Sequence, residues 1–122
     1  MKRSRNNFDT EQIAKYYVDA TACWWCQITK PNDELHWNYG NALHHILGRR
    51  GHFNNSILNS FFINNEKCHI PNHPILMKKE NQIKMLEKTL QWLYEHNYVM
   101  NDDDYGFIEE HKDYYESILK MD

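Results

Sequence analysis

The stretch His44-His45-Ile46-Leu47-Gly48-Arg49-Arg50-Gly51, continued by Asn59 and closed by Cys68-His69-Ile70-Pro71-Asn72-His73, decides how this chain is read. Histidines four residues apart on a helix share a face, so His69 and His73 can grip one divalent ion together. His44, on a neighbouring strand, completes a facial set of three imidazoles with open coordination positions. An ion held in that way can bind a phosphate oxygen and stabilise charge on a leaving oxygen, which is electrostatic catalysis of hydrolysis. His45 is then the base that takes a proton from water.

Working outward, Ala42 to Leu47 reads as a strand that ends at Gly48 and carries both histidines. Before it, Leu35, Trp37 and Tyr39 alternate with polar residues as in a half-buried strand. Gly40-Asn41 makes the return, and Lys30-Pro31-Asn32-Asp33 is a turn signal. Adjacent residues in a regular strand face opposite ways, so His44 and His45 share a site only where the strand twists or bulges. Gly51 to Ser60 is rich in Asn, Gly and Ser and reads as an irregular loop. Asn64, with Glu66 just after it, caps a short helix containing Cys68 and His69. Pro71 predicts a stop or kink before His73, because proline inside a helix removes a backbone bond and costs about 3 kcal/mol.

The flanks read as helices. Asp9 caps a first helix, with Gln12 reaching back and Phe8 and Ile13 placed as a hydrophobic staple; Ile13, Tyr16, Tyr17 and Ala20 form its buried stripe. Ile83, Leu86, Leu90 and Leu93 keep the helical period through a segment ending near Met100. Asn101 to Gly106 reads as a loop, and a final helix from about Phe107 buries Phe107, Tyr114 and Ile118, with Tyr115 on the adjoining strip. The run Asp102-Asp103-Asp104 reads as an acidic cap before that helix.

The chain has 122 residues, enough for one domain with a modest core and too few for two. A mean hydropathy of −0.87 and the lack of any long uncharged apolar run exclude a spanning helix, so no membrane association is expected. Basic residues open the chain, but no apolar stretch of signal-peptide length follows. Three cysteines cannot pair completely, which fits reduced thiols or metal ligands and a cytoplasmic setting. The net charge of −3 is unusual for a protein that contacts phosphates, but the charge is uneven. Lys2, Arg3 and Arg5 open the chain, Arg49 and Arg50 follow the paired histidines, and Lys78 and Lys79 follow the last one. Acid gathers between Asp102 and Glu110.

The pattern of His44-His45, Asn59, His69 and His73 resembles the HNH endonuclease superfamily, also called ββα-metal or His-Me finger nucleases. The resemblance covers about Cys23 to His73, less than half the chain. It implies an α+β fold in which a β-hairpin and a metal-binding helix form the nuclease core, at about 23–75. An N-terminal helix and a helical C-terminal extension at about 76–122 brace it, all within a single domain 1–122. It also implies that His44, His69 and His73 bind one divalent metal (Mg²⁺, Mn²⁺, Ni²⁺ or Zn²⁺) and that His45 is the general base. Asn59 would orient His45 and the loop. The implied activity is hydrolysis of DNA phosphodiester bonds to a 5′-phosphate and a 3′-hydroxyl. Small stand-alone members resemble phage or mobile-element enzymes of recombination or packaging. Targeting would come from a protein partner, since no recognition domain is visible.

Many HNH proteins carry two CxxC pairs that bind a structural zinc. Here Cys23 and Cys26 form one pair, Asn65 occupies the position of the third cysteine, and Cys68 stands alone, with His36 a fourth candidate by position. Arg49 and Arg50 are either solvated turn residues or phosphate contacts. His52, His96 and His111 read as ordinary surface or core residues, and Trp24, Trp25, Trp37 and Trp92 as packing rather than base-stacking platforms. Two other readings remain open: a non-catalytic, metal-stabilised nucleic-acid-binding module, and a protein-interaction domain with a relic site.

Overall fold

Ser60 and Asn64 bracket the apolar run Phe61-Phe62-Ile63, which forms the strand that organises the site. In the computed structural model, which describes residues 8–29, 41–49 and 51–119, β1 (Asn41–His45) pairs antiparallel with β2 (Ser60–Asn64). The register runs without a bulge from Asn41 opposite Asn64 to His45 opposite Ser60. The strand at 35–39 and its flanking turns lie outside the described residues. The observed partner of the histidine strand is 60–64, placed on sequence grounds at the edge of a loop. Its continuous Phe-Phe-Ile run is the mark of a strand buried on both faces and has no alternation to detect.

The fold is α+β. Besides the hairpin, the described residues form α1 (Thr10–Tyr16), α2 (Trp24–Thr29), α3 (Ile70–Leu76), α4 (Lys79–Glu95), α5 (Asp102–Glu110) and α6 (Lys112–Leu119). A 3-10 turn covers Ile57–Asn59, and a π-helical turn covers Asn65–His69. No helix among the described residues is long and apolar enough to cross a membrane.

Asp9 caps α1 as expected, its carboxylate accepting from the amides of Glu11 and Gln12. The Gln12 side chain does not reach back; it donates instead to the Tyr98 hydroxyl at 3.1 Å. Phe8 stacks on His45 (centroids 4.1 Å apart, planes at 16°). α4 stops at Glu95 rather than near Met100, because Asn97 adopts φ 59°, the left-handed conformation that ends helices. The expected loop at 101–106 is the first half of α5. Asn101 and Asp104 form a reciprocal capping box, and the three aspartates sit in the first turn, where the helix dipole favours them. The C-terminal region therefore holds three helices instead of two.

α4 lies beneath the hairpin. Its fully buried line is Gln82, Met85, Leu86, Thr89 and Leu93, with Ile83 and Leu90 on the shoulder. The two polar members of that line tie down the strand ends. Gln82 Nε2 donates to the Ile46 carbonyl at 3.2 Å, and Thr89 Oγ1 to the Ser60 carbonyl at 2.6 Å. Trp24 of α2 fills the centre, with Tyr17, Phe61, Phe62 and Trp92 at 5.1–5.8 Å between centroids. Trp24 and Trp25 are thus packing residues, and Trp92 is half-buried and donates to the Tyr16 carbonyl; Trp37 lies outside the described residues.

The loop after β1 is pinned to α5. A Cβ built on Gly106 would lie 2.6 Å from the Phe53 ring, so the helix must present bare backbone there. In an open helix Gly→Ala gains roughly 0.5–1 kcal/mol. Here the ring must move, and Gly106→Ala is expected to lose about 1–3 kcal/mol in urea unfolding, the usual cost of overpacking. A gain in stability would show that Phe53 is not held against α5.

Candidate metal centre

β1 delivers His44 and His45 at the end of the hairpin, and the chain after β2 delivers the other two histidines. Asn64 opens that second segment, its side chain accepting from Lys67 N at 2.9 Å. The following turn is wide: the Ile70 amide bonds to the Asn65 carbonyl, five residues back. In a regular helix the Pro71 ring would strike the carbonyl four residues before it. The wide turn relieves that clash, and Pro71 then falls in the first turn of α3, where a missing N–H costs nothing. The expected stop before His73 therefore does not occur; α3 continues through His73 to Leu76.

The outcome is a cluster of His44, His69 and His73 whose ligand nitrogens all lie within 4.8 Å of one another. His44 Nδ1 is 3.1 Å from His69 Nε2. Metal–nitrogen bonds of about 2.0–2.1 Å meeting at about 90–110° separate two ligand nitrogens by about 3 Å, so the spacing fits a shared ion. His69 Nδ1 donates to Asn65 Oδ1 at 2.9 Å. An amide oxygen only accepts, so the proton sits on Nδ1 and the Nε2 lone pair faces His44. Both lone pairs face one ion when His44 carries its proton on Nε2, an atom buried without a partner.

Burial, then the neighbouring His69, His73 and His45, push the His44 pKa down to about 3. Burial and His73 lower that of His69. Both rings are neutral at pH 7, the form that binds metal. His45 is pushed down to about 4, first by burial and then by the Arg49 guanidinium, with the nearby Asn55 amide acting the other way.

These groups line a cleft of about 310 Å³ that contains His44, His45, His69 and His73 together with Gly48 and Arg49. No bulge is needed to bring both strand histidines to it. His45 occupies the last position of β1, and its ring lies between this cleft and an apolar hollow of about 400 Å³ floored by Phe8, Ile13 and Ala14. Only 7% of His45 is exposed, and its Nε2 is buried without a partner. Arg49 is exposed at the cleft mouth; Arg50 lies outside the described residues.

Asn59 is fully buried and meets the loop half of its expected role, its side-chain bonds all going to the loop backbone. Its Oδ1 accepts from Leu47 N at 2.8 Å, and its Nδ2 donates to the carbonyls of Gly48 (3.1 Å) and Asn54 (2.9 Å). These bonds hold the loop, while the Asn55 amide acts on His45 by opposing the lowering of its pKa. Asn55 and the Asn65 contact to His69 were not visible in the sequence, where several asparagines in one loop and turn are equivalent. The i, i+4 spacing of Asn65 and His69 is the one signal that pointed to either.

Behind the histidines, Cys23, Cys26 and Cys68 converge, all buried and none in a disulfide, with Cys26 and Cys68 sulfurs 3.5 Å apart. Burial pushes the Cys23 and Cys68 thiols up. Three sulfurs are one short of tetrahedral zinc, and the described residues add no fourth ligand to this group. His36 lies outside them. Of the remaining histidines, His96 pairs with Asp19 at 3.0 Å on the surface, and neither it, His52 nor His111 joins the cluster. No family model, curated protein or solved structure matches the chain.

Asn59→Ala would strand one amide and two carbonyls in the loop. With each buried orphan costing about 1–3 kcal/mol, a loss of about 3 kcal/mol or more is expected in chemical denaturation. A loss below about 1 kcal/mol would show that the loop is held by other contacts.

Proposed function

We propose that the chain is a divalent-metal-dependent DNA endonuclease of the HNH type. The observation that carries this reading is the convergence of three clustered imidazoles, a fourth imidazole and a guanidinium on one cleft. The order of β1, β2 and the helical segment 65–76 is that of a ββα-metal core, which on this reading spans about 23–75, with 76–122 as its helical brace in a single domain.

In this mechanism His44, His69 and His73 hold the ion, one of Mg²⁺, Mn²⁺, Ni²⁺ or Zn²⁺. When bound, it supplies Lewis-acid polarisation of the phosphate and stabilises charge on the leaving oxygen. Arg49, exposed at the mouth, draws in and orients the phosphodiester. His45 takes the proton from the attacking water. Its low pKa gives weak driving force in the free protein, but an anionic phosphate drawn against it favours the protonated ring and raises its basicity. The Asn55 amide favours the protonated ring, and Asn59 keeps the loop that carries Gly48 and Arg49 in place. Among the described residues Arg49 is the one lysine or arginine that lines the cleft, while Lys79 is paired with Asp113 at 3.2 Å. With a net charge of −3, DNA affinity rests on few basic residues, so it is weak and changes only modestly with salt, and a protein partner supplies targeting. A cytoplasmic setting and a role in phage or mobile-element recombination or packaging belong to the same proposal.

A second reading has one observation in its favour. His45 is nearly enclosed and stacked on Phe8, as expected of a non-catalytic, metal-stabilised nucleic-acid-binding or protein-interaction module.

Incubating supercoiled plasmid with the protein under Mg²⁺, Mn²⁺ or chelator separates the two. The nuclease reading expects nicked or linear product with metal and none with chelator. His45→Ala should cut at least 100-fold more slowly with metal still bound, because a general base contributes about 10²–10⁴-fold. His69→Ala should instead lose metal affinity. DNA binding without cleavage by the wild type at any metal would favour the second reading.

A further inference from the structure

The π-helical turn places Asn65 and His69 four residues apart, and the Asn65 amide oxygen accepts the His69 Nδ1 proton at 2.9 Å. By this contact Asn65 belongs with the imidazole cluster and not with the thiols. Its neighbour Asn64 is occupied with capping the turn through Lys67 N, so the two asparagines have separate tasks. His44, on the other side of the ring, presents Nδ1 to His69 Nε2 at 3.1 Å. His69 is thus held at Nδ1 by Asn65, with its Nε2 turned toward His44.

We propose that Asn65 is a positioning residue for the metal centre, fixing His69 in the Nδ1–H tautomer so that its Nε2 lone pair meets the ion. This rests on the reading that His44, His69 and His73 hold a divalent metal. Free imidazole in water favours neither nitrogen strongly enough to fix the ring. A ligand histidine therefore gains affinity when its other N–H has an acceptor, and losing that acceptor typically weakens binding about 10–100-fold. A carboxylate in the same place does the same work more strongly, because the bond becomes charge-assisted.

The test compares wild type, Asn65→Ala and Asn65→Asp by calorimetric titration with Zn²⁺ and Ni²⁺, together with long-range ¹H–¹⁵N spectra of the imidazoles in the metal-free proteins. The expected result is a His69 Nδ1–H tautomer in the wild type, a mixed or switched tautomer in Asn65→Ala with affinity lowered about 10–100-fold, and affinity restored in Asn65→Asp. Thermal melts of the metal-free proteins should differ little, since the Asn64 cap of the turn remains. Equal affinity of Asn65→Ala and wild type would overturn the inference alone. Absence of metal binding by wild type, with the His69 tautomer still held, would instead overturn the metal centre and this inference with it. Affinity lost equally in Asn65→Ala and Asn65→Asp would show that the amide has a structural role only.

Discussion

One buried side chain closes the structure around its site. Asn59 holds both ends of the loop between the strands: its amide group bonds to Leu47 N, Gly48 O and Asn54 O, and its own carbonyl accepts from Ile46 N at 2.8 Å. The Ile46–Asn59 bond is the last in the strand register, and pairing stops there because the Asn59 amide turns to the Ser56 carbonyl at 2.9 Å and Leu47 N is taken by the Asn59 side chain. A backbone that turns away there, through Gly48 at φ +78°, leaves His45 at the end of β1 and Arg49 at the cleft mouth. A hydrophobic residue at 59 would leave three backbone groups unpaired, which is why an asparagine can be fully buried here at net benefit.

The rest of the protein fixes the hairpin relative to the second histidine segment. α4 does this with polar groups in an otherwise apolar stripe: Gln82 on Ile46 and Thr89 on Ser60 grip the site end of each strand. The Tyr17 hydroxyl reaches Ser60 as well, and Tyr114 supports Gln82 at 2.9 Å. Sliding of α4 would break bonds at both strands together. Asp104 extends the same logic to the loop: buried in α5, it accepts from Ser56 Oγ at 2.6 Å and from the Tyr98 hydroxyl. Ser56 adjoins Asn55, so the amide that acts on the His45 pKa is anchored one step away. On the opposite side the three thiols bring α2 against the turn that carries His69.

Much of this was legible because it rests on local chemistry. The Asp9 cap, the Asn64 cap, the strand carrying His44-His45 and the shared set of His44, His69 and His73 follow from spacing and residue type. What was not legible depends on tertiary contacts. Phe61-Phe62-Ile63 is buried on both faces and lacks the alternation that marks a half-exposed strand. The passage of the helix through Pro71 depends on the wide turn before it. The capping box of Asn101 and Asp104 was hidden inside an acidic run that reads equally well as a loop. The division of labour among Asn54, Asn55 and Asn59 could not be read at all, since identical side chains in one loop differ only in what the fold places beside them.

The position of His45 shows how a regular strand can serve two environments. His44 and His45 face opposite sides of β1, and the lack of a bulge keeps them there. His44 meets the other imidazoles. His45 meets an aromatic ring, an amide side chain and, at its margin, the cleft with Arg49. Burial is the leading cause of the lowered pKa in both, so neither ring adds positive charge where an ion would have to enter. A cationic imidazolium beside an incoming dication would cost affinity through like-charge repulsion in a poorly solvated cleft. Phe8 therefore has an electrostatic consequence as well as a packing one: by excluding water from one face of His45, it helps keep that ring neutral beside the clustered imidazoles.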